Sequence, residues 1–470
     1  MSPSTHTEPT HDDPTLASAS EVIGGPSGRR MIPSSWWTPV RVVMAIAGVV
    51  WVLGMLHEVP CASTNWANSD VRYQHMCYSD LPYLYVGRGL AELKVPYTDN
   101  GGRYNDMEYP VVIGYFAYGT AWITHAIAGF PDLSLRHQAP SEQVGTLSGV
   151  GPESVVFTAV SAVLLGLLSV VAAGFLAGAH RGRPWDAVYY AAAPSVALSG
   201  LVNWDILAVL CVAIAFWAWA RGRPVLAGVM IGLGTATKLY PLFLLGALLI
   251  VAVRRRGLGR WMQATVAAVV AWLVVNLPAM LTAFSHWKTF WVFNDHRGAD
   301  LGSVWMLASQ LGFNKDATFI SDVSLIFFIG VCLLVLVLGF VVPHPPRIAQ
   351  LAFLIVAGFL LINKVYSPQY VLWLLPLAAL ARPRWKDLMI WQAGEIFYFA
   401  AVWWMLGSIT APPSGDDRVY QVAIVVRILA ELYLMVVVVR DIISPRRDPA
   451  RTGRLDDDPM WPEVAAAPAG

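Results

Sequence analysis

RGRPWDAVYYAAAPSVALSGLVNWDILAVLCVAIAFWAWARGRP, residues 181–224, decides the fold. Two arginine-bearing tetrapeptides bracket two apolar runs, Ala187 to Gly200 and Ile206 to Ala220, and between the runs stands only the short turn Val202 to Asp205. A chain that runs apolar, turns through a polar tip and returns apolar to a second basic tip crosses a low-dielectric layer twice. Lysine and arginine concentrate in the loops that stay on the cytoplasmic side. The repeated RGRP is punctuation at two helix turns rather than a duplicated unit.

The alternation continues in both directions. Further apolar runs span Val40 to Leu56, Ser154 to Ala179, Val225 to Ala236, Tyr240 to Val253, Met262 to Leu281, Val323 to Val342, Ile348 to Ile362, Tyr370 to Leu380, Met389 to Ile409 and Val422 to Val439. Several are shorter than the ~20 residues of an untilted span, so their polar flanks must reach the interface. Arg254 to Arg256 with Arg260, Arg347, Arg382 with Arg384 and Lys386, and Arg446 with Arg447 occupy alternate loops, which makes those loops cytoplasmic. Composition agrees: 56% hydrophobic and 13% charged residues, with a mean hydropathy of +0.54, exceed what a soluble domain carries. A net charge of +1 argues for no acidic partner such as nucleic acid.

The expected fold class is therefore an all-α integral membrane protein, multi-pass in the plasma membrane. Residues 1–39 and 442–470 read as disordered cytoplasmic tails around a membrane domain at 40–441, because the ends lack apolar periodicity. The first run follows Arg29, Arg30 and Arg41 and has no small-residue cleavage site, so it reads as an uncleaved anchor. Tyr109 to Phe130 is apolar enough to cross, yet a crossing there would put every later basic loop outside. Its aromatic content suits a helix lying at headgroup level. The count becomes about twelve crossings, with about thirteen as the rival, and both termini cytoplasmic.

This topology collects the chemistry on the outer face. The first outer loop, 57–153, carries Cys61 and Cys77, which an oxidising compartment could join. Asp205, Lys238 and Lys364 stand beside apolar runs, where charge is costly and marks a cavity or partner, or else snorkels to the interface. Asp80 opens an amphipathic stretch in which Leu81, Leu84, Tyr85, Arg88 and Leu90 recur at helical spacing. It could cap that helix or serve as a general base. Asp70 lies in a polar segment and reads as solvated. Glu108 could hold a sugar hydroxyl, pair with a lysine, or simply open the interfacial helix. Capping accounts for one of Asn203 and Asp205, which precede a span. No phosphate-binding G-x-x-x-x-G-K-[ST] loop and no dinucleotide fingerprint occurs, so nucleotide-driven chemistry lacks a seat.

Six motifs then carry a resemblance: YSDLPYLY at 78–85, MEYP at 107–110, NWDILA at 203–208, GLGTATKLYPL at 232–242, HRGADLGSVW at 296–305 and NKVYSPQYVLWLLP at 363–376. In order and placement the chain resembles the actinobacterial branch of the family 87 membrane glycosyltransferases, in the GT-C superfamily. The resemblance implies a GT-C-like helical bundle with juxtamembrane helices in the first outer loop. It also implies inverting transfer of a sugar from a polyprenol-phosphate donor to a cell-envelope glycolipid or glycan acceptor, in a membrane-lipid setting. Mannose follows from the resemblance alone, and arabinofuranose remains open. Asp80 matches the superfamily's essential acidic position in the first outer loop and so becomes the candidate base. Arg297, Lys238 and Lys364 become candidate partners of the leaving phosphate, an arginine offering a bidentate fork. Glu108, Asn203, Asp205, Tyr240, Gln369 and Tyr370, with Tyr366, become candidate substrate-positioning groups. No cofactor is required; a divalent metal is optional, and the triplet Asp456 to Asp458 is a poor site for one. A lipid-linked sugar transporter or flippase, and an inactive envelope-assembly protein, are the readings from other classes. The first would show repeated halves and ionisable groups at mid-membrane.

Overall fold

The computed structural model describes residues 36–99, 101–180, 182–411, 417–451 and 455–461. Arg181, residues 412–416 of the loop from Ala411 to Arg418, and the outer parts of both tails, 1–35 and 462–470, lie outside the described residues, as do 452–454. Among the described residues the chain is helical and contains no strand. The elements that matter are α1 (Pro39–His57), α2 (Leu81–Gly87), α3 (Val111–Ile127), α4 (Val150–Ala179), α5 (Ile206–Ala220), α6 (Pro224–Thr235), α7 (Leu244–Arg254), α8 (Leu258–Thr282), α9 (Thr289–His296), α10 (Ala317–Val341), α11 (Ile348–Ile362), α12 (Val371–Ala381), α13 (Trp385–Leu406) and α14 (Arg418–Ile443).

Five of these, α1, α4, α8, α10 and α14, are long and apolar enough to cross a membrane; α5, α11 and α12 are shorter apolar helices. The long helices present apolar residues outward, Val274 at 64% and Leu334 at 71% exposure among them. In water such stripes would be a liability; against hydrocarbon they are matched, and the helix satisfies its own backbone.

Inside the bundle α1 packs antiparallel to α4, with the Trp51 indole donating to the Ala162 carbonyl at 2.9 Å. α5 sits between α4, α6 and α12. α6 lies against α8 at Gly228 and Gly232, where a Cβ at either position would overlap the backbone of Ala264 or Ala268. Two glycines four residues apart clear one helix face, which lets the backbones approach and gain dispersion contact.

Several expectations change in the structure. The run Ala187 to Gly200 is not one helix but Pro184–Ala187, Val188–Ala191 and Pro194–Ser199. Pro194 forces Ala193 into an extended conformation (φ −70°, ψ 128°) and restarts the helix. The segment Ser285 to Asp322, which connects the apolar runs Met262 to Leu281 and Val323 to Val342, is not a plain loop but contains the end of Phe284–Trp287, all of α9, Val304–Gln310 and the start of α10. The C-terminal segment is packed where it is described. Asp448 is buried against Arg347 at 2.7 Å, Asp458 accepts from the Ile348 amide at 3.0 Å, and Met460 is fully buried. Charge pairing, invisible to an apolar-periodicity argument, orders it. Cys61 and Cys77 form a disulfide, around which Trp66 packs.

The two sets of loops gather at opposite ends. At one end Arg254 donates to the carbonyls of Val342 and Pro343, and Arg382 pairs with Asp387 and Asp441. At the other end the segments around 78–80, 108–110, 202–205, 236–240, 290–301 and 363–370 converge. α3 keeps both ends there: its Val112 amide donates to the Ala236 carbonyl, while His125 reaches Glu153 in the first turn of α4.

Candidate active site

The second end encloses a cavity of about 590 Å³ whose wall includes Asp80, Glu108, Lys238, Arg297, Lys364, Gln369 and Tyr370. These residues come from five separate segments. Each needs a local reason to point there.

Asp80 stands at the N-cap of α2 with no side-chain cap bond (φ −69°, ψ −26°). The capping expected of it is done by Ser79, whose hydroxyl accepts from the Leu81 amide at 3.2 Å and donates to the Leu201 carbonyl at 2.6 Å. The Asp80 amide donates to the Val202 carbonyl at 2.9 Å, so α2 is docked on the turn before α5. The carboxylate is thereby left to the cavity. Its Oδ2 accepts from Asn203 Nδ2 at 2.8 Å. The same amide nitrogen donates to the Tyr109 hydroxyl at 2.9 Å, and Asn203 Oδ1 accepts from the Trp204 amide at 2.7 Å. That last bond orients the side-chain amide, with Nδ2 as the donor toward Asp80.

Burial pushes the Asp80 carboxyl above its ordinary value; the hydrogen bonds from Asn203 and Tyr78 and the nearby Lys238 oppose the rise, and Asp205 adds to it. Protein walls surround the group, yet it keeps surface where it lines the cavity. A desolvated carboxylate of raised pKa is a stronger proton acceptor than a solvated one.

Lys238 follows α6 in a tight turn, its amide donating to the Gly234 carbonyl at 2.8 Å. Its ammonium lies 3.4 Å from Asp205 Oδ1 and 4.9 Å from the centre of the Tyr109 ring. Asp205 is fully buried behind the wall. Its Oδ1 accepts from the Trp373 indole at 2.6 Å, while Oδ2 has no partner. It too lacks a side-chain cap bond to its helix, so capping accounts for neither Asn203 nor Asp205. Both hold other side chains.

Arg297 is already engaged: Nε and Nη2 meet Asp300 Oδ2 at 2.8 and 2.6 Å. Lys364 donates to the carbonyls of Asn294 and Asp295 at 2.8 and 3.0 Å, capping the C-terminal turn of α9 where a cation also suits the helix dipole. Burial pulls the Lys364 pKa down, Asp295 raises it and Arg297 lowers it further. Glu108 pairs with Arg88 through two bonds of 2.7 and 2.6 Å, not with either lysine. Arg88, part of the amphipathic stretch that Asp80 opens, comes back to Glu108 across a turn that spacing does not reveal.

Gln369 is 4% exposed and lines the wall with its Oε1 lacking any partner. Tyr370 also lines it, stacked on Trp373 at 4.0 Å. Tyr240 does not. It is fully buried, stacked on Trp373 at 4.9 Å from behind the wall. Tyr366 is likewise fully buried, its hydroxyl bonded to Glu395 at 2.9 Å. Tyr78, Tyr109 and Trp373 line the cavity and were not singled out as site residues; Tyr78 was legible as the neighbour of Asp80, whereas Tyr109 reads as an interface aromatic and Trp373 as part of the apolar run Tyr370 to Leu380. Among the described residues no three His, Cys, Asp or Glu side chains converge as metal ligands.

Two carboxylates, Asp80 and the Arg88-paired Glu108, and three cations thus share a cavity whose wall also carries aromatic, amide and aliphatic groups. That set can accept a proton at one point and stabilise developing negative charge at another.

Residues 144–363 match the family model of Glycosyltransferase family 87. Over that stretch the chain is similar to membrane glycosyltransferases. The match includes Asn203, Asp205, Lys238, Tyr240 and Arg297 and leaves Asp80, Glu108, Lys364, Gln369 and Tyr370 outside it. No curated protein matches the chain significantly.

Proposed function

We propose that the protein transfers a sugar, mannose, from a polyprenol-phosphate carrier to a hydroxyl of a cell-envelope glycolipid or glycan on the outer face of the plasma membrane, with inversion. The observation that carries this reading is the single cavity shared by Asp80, Lys238, Arg297 and Lys364, in a chain similar to family 87 glycosyltransferases.

Asp80 accepts the acceptor hydroxyl's proton as that oxygen attacks the anomeric carbon from the face opposite the phosphate. The bond from the anomeric carbon to the phosphate oxygen breaks through an oxocarbenium-like transition state. The polyprenyl phosphate leaves with one more negative charge, which Lys238, Arg297 and Lys364 are in place to receive. Because Asp300 holds one edge of the Arg297 guanidinium, Lys238 is the better first contact for the phosphate. Gln369 Oε1, buried and unpartnered, is suited to a sugar hydroxyl. Asn203 and Asp205 act behind the wall, orienting Asp80 and Lys238. Side-chain cations suffice, so a metal stays optional.

The membrane setting follows the basic loops: about twelve crossings within 40–441, both termini cytoplasmic and the cavity outside. That both ends of α3 stay at the cavity end supports α3 as the element that does not cross.

The test is transfer of labelled mannose from polyprenol-phosphate-mannose to membrane lipoglycan acceptors by vesicles carrying wild type or Asp80→Asn at matched expression. Wild-type transfer with a loss of about 10²- to 10⁴-fold in the variant is expected. Undiminished transfer by the variant removes Asp80 as the base. Absent wild-type transfer from this and other lipid-linked sugars removes the enzyme reading.

A further inference from the structure

Two of the three cavity cations sit on segments that are paired backbone to backbone. The Asp300 amide donates to the Lys364 carbonyl at 2.9 Å, and the Tyr366 amide donates to the Leu301 carbonyl at 2.7 Å. Arg297 precedes the first segment and Lys364 lies in the second. What holds this pair is a cluster that the proposed chemistry does not use.

Arg427 and Glu431 on α14 are both fully buried and bonded to each other at 2.9 Å. The Arg427 guanidinium lies 3.7 Å from the centre of the Tyr366 ring and donates to the Gly302 carbonyl at 3.3 Å. The Gly302 amide donates to the Tyr420 hydroxyl at 2.7 Å. From α13, Tyr398 donates to the Tyr366 carbonyl at 2.5 Å, and Glu395 receives the Tyr366 hydroxyl at 2.9 Å and the Trp391 indole at 3.0 Å. Gly302 has φ +69°, and a Cβ there would overlap the Tyr398 hydroxyl, so the loop reaches the cluster only without a side chain. An arginine and two glutamates withdrawn from water between two helices are costly. Helix contact alone would be served by apolar residues of similar volume.

We infer that Arg427, with Glu431, Glu395 and Tyr420, is a positioning residue: it clamps the 300–302 and 364–366 pair so that Arg297 and Lys364 meet the leaving phosphate. The last clause rests on the glycosyltransferase reading, but the clamp itself does not. Arg427 touches neither donor nor acceptor and acts through Gly302 and Tyr366.

Amide hydrogen exchange and donor kinetics on the full chain in lipid nanodiscs separate the two. In Arg427→Met with Glu431→Gln, which removes the bonded pair together so that neither is left alone, exchange at Asp300, Gly302 and Tyr366 is expected to rise about tenfold or more while α4 and α5 stay unchanged. The donor KM should rise about tenfold with the acceptor KM unmoved. Arg427→Lys, retaining the charge, should fall between. If the double variant does not fold, Tyr420→Phe serves, since it removes the hydroxyl that accepts from the Gly302 amide and contacts Tyr398, and should raise exchange at Gly302. Exchange unchanged at those amides, or rising equally through α4 and α5, overturns the clamp. Equal rises in both KM values, or none, overturn its role toward the donor. Should wild type transfer no sugar while these amides respond as expected, the clamp stands and the sugar-transfer reading falls.

Discussion

The Arg347 and Arg382 clusters at one end of the bundle and the cavity at the other handle buried charge in opposite ways. At the end carrying the basic loops, Arg347 is fully buried and saturated: two bonds to Asp448 at 2.7 and 2.9 Å, and one each to the carbonyls of Leu380 and Ala381. Arg382 there meets two carboxylates, Asp387 at 2.8 Å and Asp441 at 2.5 Å. At the cavity end Lys238 has its carboxylate at 3.4 Å, Lys364 has only carbonyls, and Asp205 Oδ2 and Gln369 Oε1 have no partner. Buried polar groups are normally satisfied. Closed pairing at Arg347 and Arg382, against incomplete pairing at Lys238, Asp205 and Gln369, separates a latch from a receptor.

The comparison breaks first at the latch. Arg347→Met leaves Asp448 without its main partner in a buried place, and removing one member of such a pair costs about 3–5 kcal/mol. A lower unfolding temperature in detergent is expected, with transfer per folded molecule unchanged. A loss of transfer at full stability would mean that the latch end takes part in the reaction.

The disulfide gives the next effect. It closes a 16-residue separation between Cys61 and Cys77 ahead of Asp80, and a loop of that size contributes about 3 kcal/mol. Cys61→Ser with Cys77→Ser, or reduction, should lower thermal stability by that order. Unchanged melting under reductant would show that the packing around Trp66 suffices.

The receptor end should answer through kinetics instead. Lys238→Met is expected to raise the donor KM or lower kcat by about tenfold, roughly 1.4 kcal/mol, since a cation near developing phosphate charge is lost. Lys364→Met should do less catalytically and more locally, because its bonds hold the end of α9. If both lysines affect only melting, the under-paired charges are structural.

The smallest effect sharpens the picture at one atom. Because burial raises the Asp80 pKa, the base should be ionised above a midpoint higher than the ordinary carboxylate value of about 4. Transfer is then lost as pH falls through that midpoint. Asn203→Ala removes a hydrogen bond that favours the charged form, so the acid limb of kcat should move to still higher pH by about one unit. A limb that stays put would show that Asn203 does not govern the carboxylate.

Much of this was readable from residue order. The alternation of basic and polar tips around apolar runs anticipated a helical membrane bundle, and the loops it assigned to one face are the ones that meet at the cavity. Asp80, Lys238, Arg297 and Lys364 were named from charge beside apolar sequence and from the motifs. The errors have a shared cause. Tyr240 and Tyr366 were expected as substrate groups and are buried behind the wall, because a tyrosine at a helix end can turn either way. Glu108, open to a sugar hydroxyl, a lysine or a helix start, took Arg88, and of the two roles open to Asp80 the capping went to Ser79. In each case the choice lay among partners that spacing leaves equivalent.

Residue order set the class of solvent and the class of element: 56% hydrophobic residues, gathered in long uninterrupted apolar runs, call for helices that satisfy their own backbones in hydrocarbon. It also determined which charges were too costly to be idle. Only the tertiary structure decided which of them are saturated, as at Arg347 and Asp448, and which are left short of partners, as at Lys238 and Gln369. Hydrogen bonds and ion pairs reach over a few ångströms with strict direction, and residues as far apart as Asp80 and Asn203 come within 2.8 Å only when the helices between them have packed.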